Sequence, residues 1–296
     1  MKSEVVIRSM RVPFLILTPV CVFLGMSNAI FQHLSINLVA LALAFVGALL
    51  AHVSVNTINE YCDFESGLDL TTNRTSFSGG SGALPENPDM ALSVLGVGVF
   101  SLVATFSIGV YFFIELGFGI VPIGVVGLLL IVTYTGWINK HPLLCLLAPG
   151  LGFGVLMVLG THYVLAGEYS RLSWVTAAIP FFLVNNLLLL NQYPDLAADR
   201  RVGRNHFPIA YTVKGSNIIY ALFLLLTVAV LVGSIFLGIL PGLSLIALIP
   251  MPLALYSLAG AIVHGEGIGS FPQYLASNVA VTILTPLLLG VSLIIS

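Results

Sequence analysis

The chain has 296 residues, of which 58% are hydrophobic and only 7% are charged, and its net charge is −2. Soluble domains carry about 25% charged residues, so this composition excludes a water-soluble enzyme, a disordered chain and a nucleic-acid-binding protein. The apolar runs are continuous rather than alternating, which predicts an all-α, polytopic integral membrane protein rather than a barrel.

Nine apolar runs are long enough to cross a bilayer, which takes about 20 residues. The first of them follows three basic residues but lacks a small-residue cleavage site, so we expect it to be retained as a helix. In chain order the predicted spans are 13–31, 36–57, 91–113, 117–136, 143–165, 173–192, 217–237, 242–263 and 274–295.

The charged residues are distributed unequally between the two sides of this predicted bundle. Nine of the ten Lys and Arg residues, all but Arg171, lie on the side of the N-terminus. Ten of the twelve acidic residues, all but Glu115 and Glu168, lie there too. Because basic loops stay cytoplasmic, we expect the N-terminus and any ionic chemistry on the cytoplasmic side.

Two similar acidic motifs begin where the second and sixth predicted spans meet that side. They comprise Asn59, Asp63 and Asp69 in the first motif, and Asn191, Asp195 and Asp199 in the second. Residues four apart share a helix face, so the members of each motif should project together. We expect Ser66-Gly67 to end the second helix and turn Asp69 back, and Pro194 to kink the sixth helix near Leu190.

Clusters of carboxylate and amide oxygens suit a hard cation such as Mg²⁺, which is commonly held by one or two carboxylates plus substrate phosphates. Two Mg²⁺ ions would balance the four aspartates, and a bound diphosphate would add about −3. Basic residues on the same side can balance the remainder; they include Arg74, Lys140, Arg201 and Arg204. The pattern therefore predicts a two-metal diphosphate site, with the Gly-rich segment 70–90 as a lid.

These motifs resemble those of the UbiA superfamily of intramembrane prenyltransferases. NEYCDFESGLD and NQYPDLAADRRVGR are similar to its two aspartate motifs, and the likeness is greatest for the 1,4-dihydroxy-2-naphthoate polyprenyltransferase branch of menaquinone synthesis. The middle of the chain also matches that branch, at Tyr134-Thr135-Gly136, Gly150-Leu151-Gly152 and Leu159-Gly160-Thr161-His162-Tyr163.

The resemblance implies one transmembrane prenyltransferase domain, residues 1–296, with its aspartate motifs in loops 59–90 and 193–216. It implies nine helices around a central cavity that opens to the cytoplasm and to lipid, in a multi-pass protein of the cell membrane. It further implies Mg²⁺-dependent transfer of a prenyl group from a polyprenyl diphosphate to an aromatic acceptor, with Tyr134 stabilising the allylic cation through its ring. Glu60 and Glu65 are candidates for the base.

Departures from that branch leave the acceptor open. Phe153 follows Gly-Leu-Gly where an acidic residue is usual, and His206-Phe207-Pro208-Ile209 replaces a Thr-Leu stretch. Other acceptors are 4-hydroxybenzoate, homogentisate, a chlorophyll or haem precursor, or a glyceryl phosphate lipid. A divalent-cation transporter is an alternative of another class, although only His52, His162 and His264 could supply an ionisable path through the bundle. A scaffold without activity is a third.

Overall fold

Long apolar helices make up most of the chain in the computed structural model, which describes residues 2–72 and 74–296. Within these residues the regular structure is entirely helical, which confirms the predicted all-α class. The α-helices, numbered in chain order, are α1 (Lys2–Ser9), α2 (Leu17–Phe31), α3 (Leu38–Glu65), α4 (Leu68–Thr71), α5 (Ala83–Glu86), α6 (Ala91–Leu116), α7 (Val121–Thr133), α8 (Pro142–Gly150), α9 (Val158–Ala166), α10 (Arg171–Asn191), α11 (Leu196–Arg201), α12 (Phe207–Phe236), α13 (Met251–His264) and α14 (Pro272–Ile295).

Among the described residues, eight helical stretches are long and apolar enough to cross a membrane, where the sequence predicts nine spans. The difference lies in Pro88–Thr133, a stretch of 46 residues that covers the third and fourth predicted spans. Gly117, with φ 75° and ψ −157°, ends α6 before α7 begins. Such a backbone conformation is accessible mainly to glycine, so the boundary between the two helices is encoded at this residue.

The second predicted span extends further than its apolar run. The side chain of Asn37 accepts hydrogen bonds from the first amides of α3, and the helix continues to Glu65 before Gly67 turns the chain with φ 77°. Asn59 and Asp63 therefore lie on the last turns of α3, not in a loop, which corrects the expected loop 59–90. The polar residues continue the helix because no helix breaker occurs before Gly67.

The second motif is less regular than the shared helix face predicted for it. Helix α10 ends at Asn191, Tyr193–Asp195 form a 3₁₀ turn, and α11 carries Asp199. Pro194 has no amide hydrogen to continue the α-helical ladder, so at the expected kink a 3₁₀ turn interrupts the α-helix.

Helix α10 packs in the centre of the bundle against α8, α12 and α14. Buried polar groups join three of these helices. The Asn186 amide donates to the Tyr220 carbonyl (3.0 Å), the Tyr220 hydroxyl donates to Asn278 Oδ1 (2.8 Å), and the Asn278 amide donates to the Asn186 carbonyl (3.1 Å). Polar bonds of this kind fix the register of helices that lack a hydrophobic driving force between them in lipid.

A π-helical segment, Leu151–Met157, joins α8 to α9 and lies close against α10. The Gly150 amide donates to Asn185 Oδ1 at 2.6 Å. A side chain at Gly154 would collide with the backbone of Phe181. Small residues thus let this segment approach α10, and its other side forms a wall of the central cavity.

Candidate active site

A cavity of about 600 Å³ lies among α2, α3, α6, α7 and the α8–α9 segment. Most of its lining is apolar, including Phe14, Phe106 and Phe153. Its polar end contains all six residues of the two motifs, Asn59, Asp63, Asp69, Asn191, Asp195 and Asp199. An apolar chamber with one acidic end can accept a ligand that has a hydrocarbon chain and a charged head.

In the first motif, helix geometry and one turn place the polar groups together. Asn59 donates to the Thr135 hydroxyl at 3.2 Å. Asp63 lies one helical turn further on and is 5% exposed, and Asp69, which α4 returns to the site, is 3% exposed. Both carboxylates are thus withdrawn from bulk water. A bound cation interacts more strongly with them in this environment of lower dielectric constant than it would in water.

In the second motif, the break after α10 gives each residue a different environment. Asp199 is buried, whereas Asp195 is half-buried and accepts a hydrogen bond from the Ser78 hydroxyl at 3.3 Å. Asn191 Oδ1 is buried and has no hydrogen-bond partner in the described part of the chain. The unpaired amide oxygen of Asn191 and the accessible carboxylate of Asp195 are both available to bind a ligand.

Arg204 connects the two motifs. Its guanidinium donates to Asp63 Oδ1 and, at 3.0 Å, to Asp199 Oδ1. Burial lowers the pKa of Arg204, but the adjacent Asp63 and Asp199 carboxylates raise it by more, and the net direction is upward. The side chain therefore stays a cation between the motifs.

His206 contacts the other oxygen of Asp199. Its Nε2 lies 2.7 Å from Asp199 Oδ2, the imidazole is 2% exposed, and its Nδ1 is buried without a partner in the described part of the chain. A buried carboxylate held from both sides has a fixed orientation.

The Gly-rich loop after α4 lies across the acidic end of the cavity. Besides the contact between Ser78 and Asp195, Gly80 approaches Asp69 so closely that a Cβ would be 2.7 Å from Asp69 Oδ1. The backbone at Gly80 has φ 74°. The loop therefore covers the carboxylates, as expected for a lid.

Glu60, one residue after Asn59, anchors this loop. Its fully buried carboxylate accepts from the Ser81 amide at 3.1 Å, from the Ser81 hydroxyl, and from Arg11 Nη2 at 3.3 Å. The carboxylate is thus engaged outside the cavity lining, and Glu65 is exposed on the surface. Neither glutamate is placed to remove a proton from a molecule in the cavity.

The residues predicted to contact the diphosphate or to stabilise the allylic cation are not all equally close to the site. Arg204 and Tyr134 line the cavity, whereas Arg74, Lys140 and Arg201 are exposed and do not. Arg74 instead donates to the Asp69 carbonyl at 3.3 Å and lies 3.7 Å from Glu86.

His206, Ser78 and Arg11 line the cavity but are not among the site residues that the sequence predicts. His206 lies in a segment that differs from the 1,4-dihydroxy-2-naphthoate polyprenyltransferase branch, and this difference is a sequence signal that could have indicated it. Ser78 lies in the segment predicted as the lid, but its contact with Asp195 and the position of Arg11 depend on loop packing that sequence spacing does not indicate.

The donor set fits a hard cation. Asp69 Oδ2 is buried without a hydrogen-bond partner in the described part of the chain. Burial, followed by the nearby Glu60 and Asp63 carboxylates, raises the pKa of Asp69 to about 7. A cation bound beside Asp69 would lower this pKa again. Within residues 2–72 and 74–296, however, no three acidic, His or Cys side chains converge as a ready-made metal site, so water or substrate oxygens would have to complete the coordination.

The fold is shared with several solved structures. A structure described as a digeranylgeranylglyceryl phosphate synthase superposes with a TM-score of 0.70 at 16% identity, covering 100% of this chain and 99% of its own. A UbiA homologue from Aeropyrum pernix K1 gives 0.67 at 18% identity, covering 96% and 98%. A homologue from Archaeoglobus fulgidus, bound to GPP and Mg²⁺, gives 0.64 at 14% identity, covering 99% and 100%.

The sequence comparison agrees with the fold. No curated protein gives a significant match to this chain. The UbiA prenyltransferase family model matches residues 17–267, which contain both aspartate motifs, the lid and Arg204. The chain is therefore an integral membrane enzyme of the UbiA prenyltransferase family.

Proposed function

We propose that the protein transfers a prenyl group from a polyprenyl diphosphate to an aromatic acceptor, 1,4-dihydroxy-2-naphthoate or a related quinone precursor, in an Mg²⁺-dependent reaction of menaquinone or similar quinone synthesis. The observation that carries this proposal is the meeting of two aspartate motifs at the polar end of an otherwise apolar cavity. The structural relative that binds GPP and Mg²⁺ supports a site in which the polar end holds the diphosphate and the apolar part holds the hydrocarbon chain.

The carboxylates of Asp63, Asp69, Asp195 and Asp199 would hold two Mg²⁺ ions, with Asn59 and Asn191 orienting the diphosphate. When bound, the metal supplies positive charge at the leaving diphosphate and so promotes ionisation of its bond to the prenyl carbon. Arg204, which contacts Asp63 and Asp199, and Arg11, which contacts Glu60, are cations of the chain itself that line the cavity. Arg74, Lys140 and Arg201 would contribute positive potential at the mouth without direct contact.

The rest of the cavity would bind the isoprenoid chain and exclude water from the allylic cation. Tyr134 lines it near the polar end, where its ring can stabilise developing positive charge. Phe106, Val110 and Phe113 of α6 line the cavity and are exposed, so the cavity is open along α6. A tail too long for the chamber would therefore pass into the bilayer between helices.

The motif resemblance favours an aromatic quinone precursor as acceptor. A glyceryl phosphate lipid is the second candidate, because the digeranylgeranylglyceryl phosphate synthase structure superposes over the whole chain. A divalent-cation transporter is less well supported, because His52 bonds Thr18 at 2.9 Å and packs on Phe153, and His264 stacks on Phe271, as structural residues do.

We further propose nine crossings, with the N-terminus and the active site on the cytoplasmic face of the cell membrane. As one helix, the 46 residues of Pro88–Thr133 would be about 69 Å long, more than twice the ~30 Å hydrocarbon core. A reversal of direction at Gly117 gives two spans of ordinary length. It also keeps nearly all the basic residues on one side.

The experiment that tests the activity offers the purified protein geranyl to polyprenyl diphosphates together with each candidate acceptor, with mass detection of products. We expect a prenylated aromatic product that requires Mg²⁺ and disappears in Asp63→Asn and Asp195→Asn. Product from the glyceryl phosphate acceptor alone would select the second candidate. Mg²⁺ flux into proteoliposomes without turnover would contradict the proposal in favour of transport.

A further inference from the structure

Arg204 is fixed by its backbone as well as by its side chain. Gly203 has φ 77°, the Arg204 amide donates to the Asp199 carbonyl at 3.0 Å, and the Asn205 amide donates to the Asn139 carbonyl at 3.0 Å. The guanidinium is thereby directed back across the cavity end to Asp63 on α3. It cross-links the helix ends that carry the two motifs.

This cross-link divides the four aspartates into two pairs. Asp63 and Asp199 each give one oxygen to Arg204, and Asp199 gives its other oxygen to His206. Asp69 and Asp195 form no ion pair within residues 2–72 and 74–296, and they contact the lid instead. Arg204 thus occupies coordination positions of half the acidic cluster, in agreement with the lack of a ready-made metal site in the described part of the chain.

Building on the proposed function, we propose that Arg204 is an internal counter-cation that magnesium must displace. In the metal-free protein its planar guanidinium bridges Asp63 and Asp199, which would otherwise repel each other. When the metal and the diphosphate bind, Arg204 releases both carboxylates and pairs with the diphosphate. His206 keeps Asp199 oriented during this exchange.

The test measures the Mg²⁺ concentration that half-maximally raises the melting temperature of the detergent-solubilised protein, without prenyl diphosphate. In Arg204→Gln the competing cation is gone, so we expect the melting temperature in EDTA to fall and the required Mg²⁺ concentration to drop at least tenfold. Arg204→Lys keeps the charge but not the two-pronged bridge, and should lie between the two. The control Arg200→Gln removes an exposed charge from α11, the short helix that carries Asp199, and should stay within twofold of wild type.

A second measurement follows the release of Arg204 to the diphosphate. At saturating Mg²⁺, inorganic diphosphate should bind at least tenfold more weakly to Arg204→Gln than to wild type. The proposal is overturned if Arg204→Gln needs as much Mg²⁺ as wild type, or more, or if Arg204→Lys matches wild type. If Arg204→Gln does not fold, Arg204→Lys decides alone. A wild-type protein that neither binds Mg²⁺ nor turns over would instead overturn the proposed function.

Discussion

The four aspartates of the site share a residue type but differ in their electrostatic state. Asp63 and Asp199 face a guanidinium, whereas Asp69 has a buried oxygen with no partner in the described part of the chain. Burying a carboxylate without a counter-charge favours its protonated form. Asp69 should therefore contribute most to metal dependence and least to the stability of the metal-free protein.

Asp69→Asn tests this difference. Folding raises the pKa of Asp69 from 3.8 to about 7, so the folded protein holds this proton more tightly than the unfolded chain does. The metal-free protein consequently loses stability as the pH rises through that interval. In EDTA, the fall in melting temperature between pH 5 and pH 8 should be smaller in Asp69→Asn than in wild type, while activity with Mg²⁺ drops about 100-fold or more.

The exposed Glu65 provides the control for that comparison. Glu65→Gln removes one carboxylate from the same helix end and should match wild type in both measurements. Equal pH dependence in wild type and Asp69→Asn would show that Asp69 is not the group that titrates in this interval.

The close approach of Gly80 to Asp69 leads to a second prediction. A Cβ there would lie 2.7 Å from Asp69 Oδ1, on a backbone with φ 74°. Gly80→Ala should therefore displace the lid or the carboxylate and lower activity more than tenfold. Gly167 has a similar φ of 75° but open space around it, so Gly167→Ala should cost about 1 kcal/mol of stability and leave turnover unchanged. Equal loss of activity in both variants would assign the effect to backbone strain rather than to contact with Asp69.

Sequence spacing predicts the acidic residues of the site because each carboxylate lies close to a recognisable helix end. It does not predict the roles of Glu60 or His206, because their partners Ser81 and Asp199 are brought to them by loops. Helical periodicity constrains residues within one helix, whereas loop packing is set by the whole bundle.

At the scale of elements, the buried carboxylate of Glu60, near the end of α3, connects the lid with the segment that follows α1. Glu60 accepts from Ser81 in the lid and from Arg11 beside α1, and it is fully buried. Breaking a buried ion pair commonly costs several kcal/mol because the partner is left uncompensated. The position of the lid should therefore depend on Glu60 more than on any surface pair.

Glu60→Gln is expected to loosen the lid. Amide hydrogen exchange over residues 76–82 should become at least tenfold faster, and the KM for the prenyl diphosphate should rise. Glu86→Gln weakens the exposed pairs with Arg8 (2.6 Å) and Arg74 (3.7 Å) and serves as the control, since exposed pairs contribute about 0–1 kcal/mol each. Unchanged exchange in Glu60→Gln would mean that backbone contacts alone hold the lid.

The ends of the helices show where element prediction succeeds and where it does not. Local chemistry predicts the turn at Gly67, and the structure confirms it. The end of α3 at Glu65 agrees with that turn, although the helix extends beyond its apolar run, whereas the 3₁₀ turn after Asn191 is predicted only as a kink. Hydropathy marks the apolar run, whereas helix ends depend on breakers and caps that lie outside it.

For the whole molecule, composition is sufficient to predict a helical membrane protein, and the positions of the charges predict which end carries chemistry. The number of crossings is harder to obtain, because hydropathy alone does not tell whether α6 and α7 form one long element or two spans. The positive φ at Gly117 and the exposed Phe118 beside it indicate a turn. Nine crossings place Phe118 and Glu168 on the outer side and Lys140 on the inner side.

Cysteine labelling tests this arrangement in a background that lacks the native cysteines, Cys21, Cys62 and Cys145. In intact cells, a membrane-impermeant maleimide should label Phe118→Cys and Glu168→Cys, and it should label Lys140→Cys only after the cells are permeabilised. If Pro88–Thr133 crossed once, Lys140 would be outside and Glu168 inside, so the labelling of these two positions would be exchanged. Arg201→Cys, adjacent to the second motif, is expected to react like Lys140→Cys, because both lie on the side where the positive-inside rule places the active site. Labelling of Arg201→Cys in intact cells would place the acidic end of the cavity on the outer face.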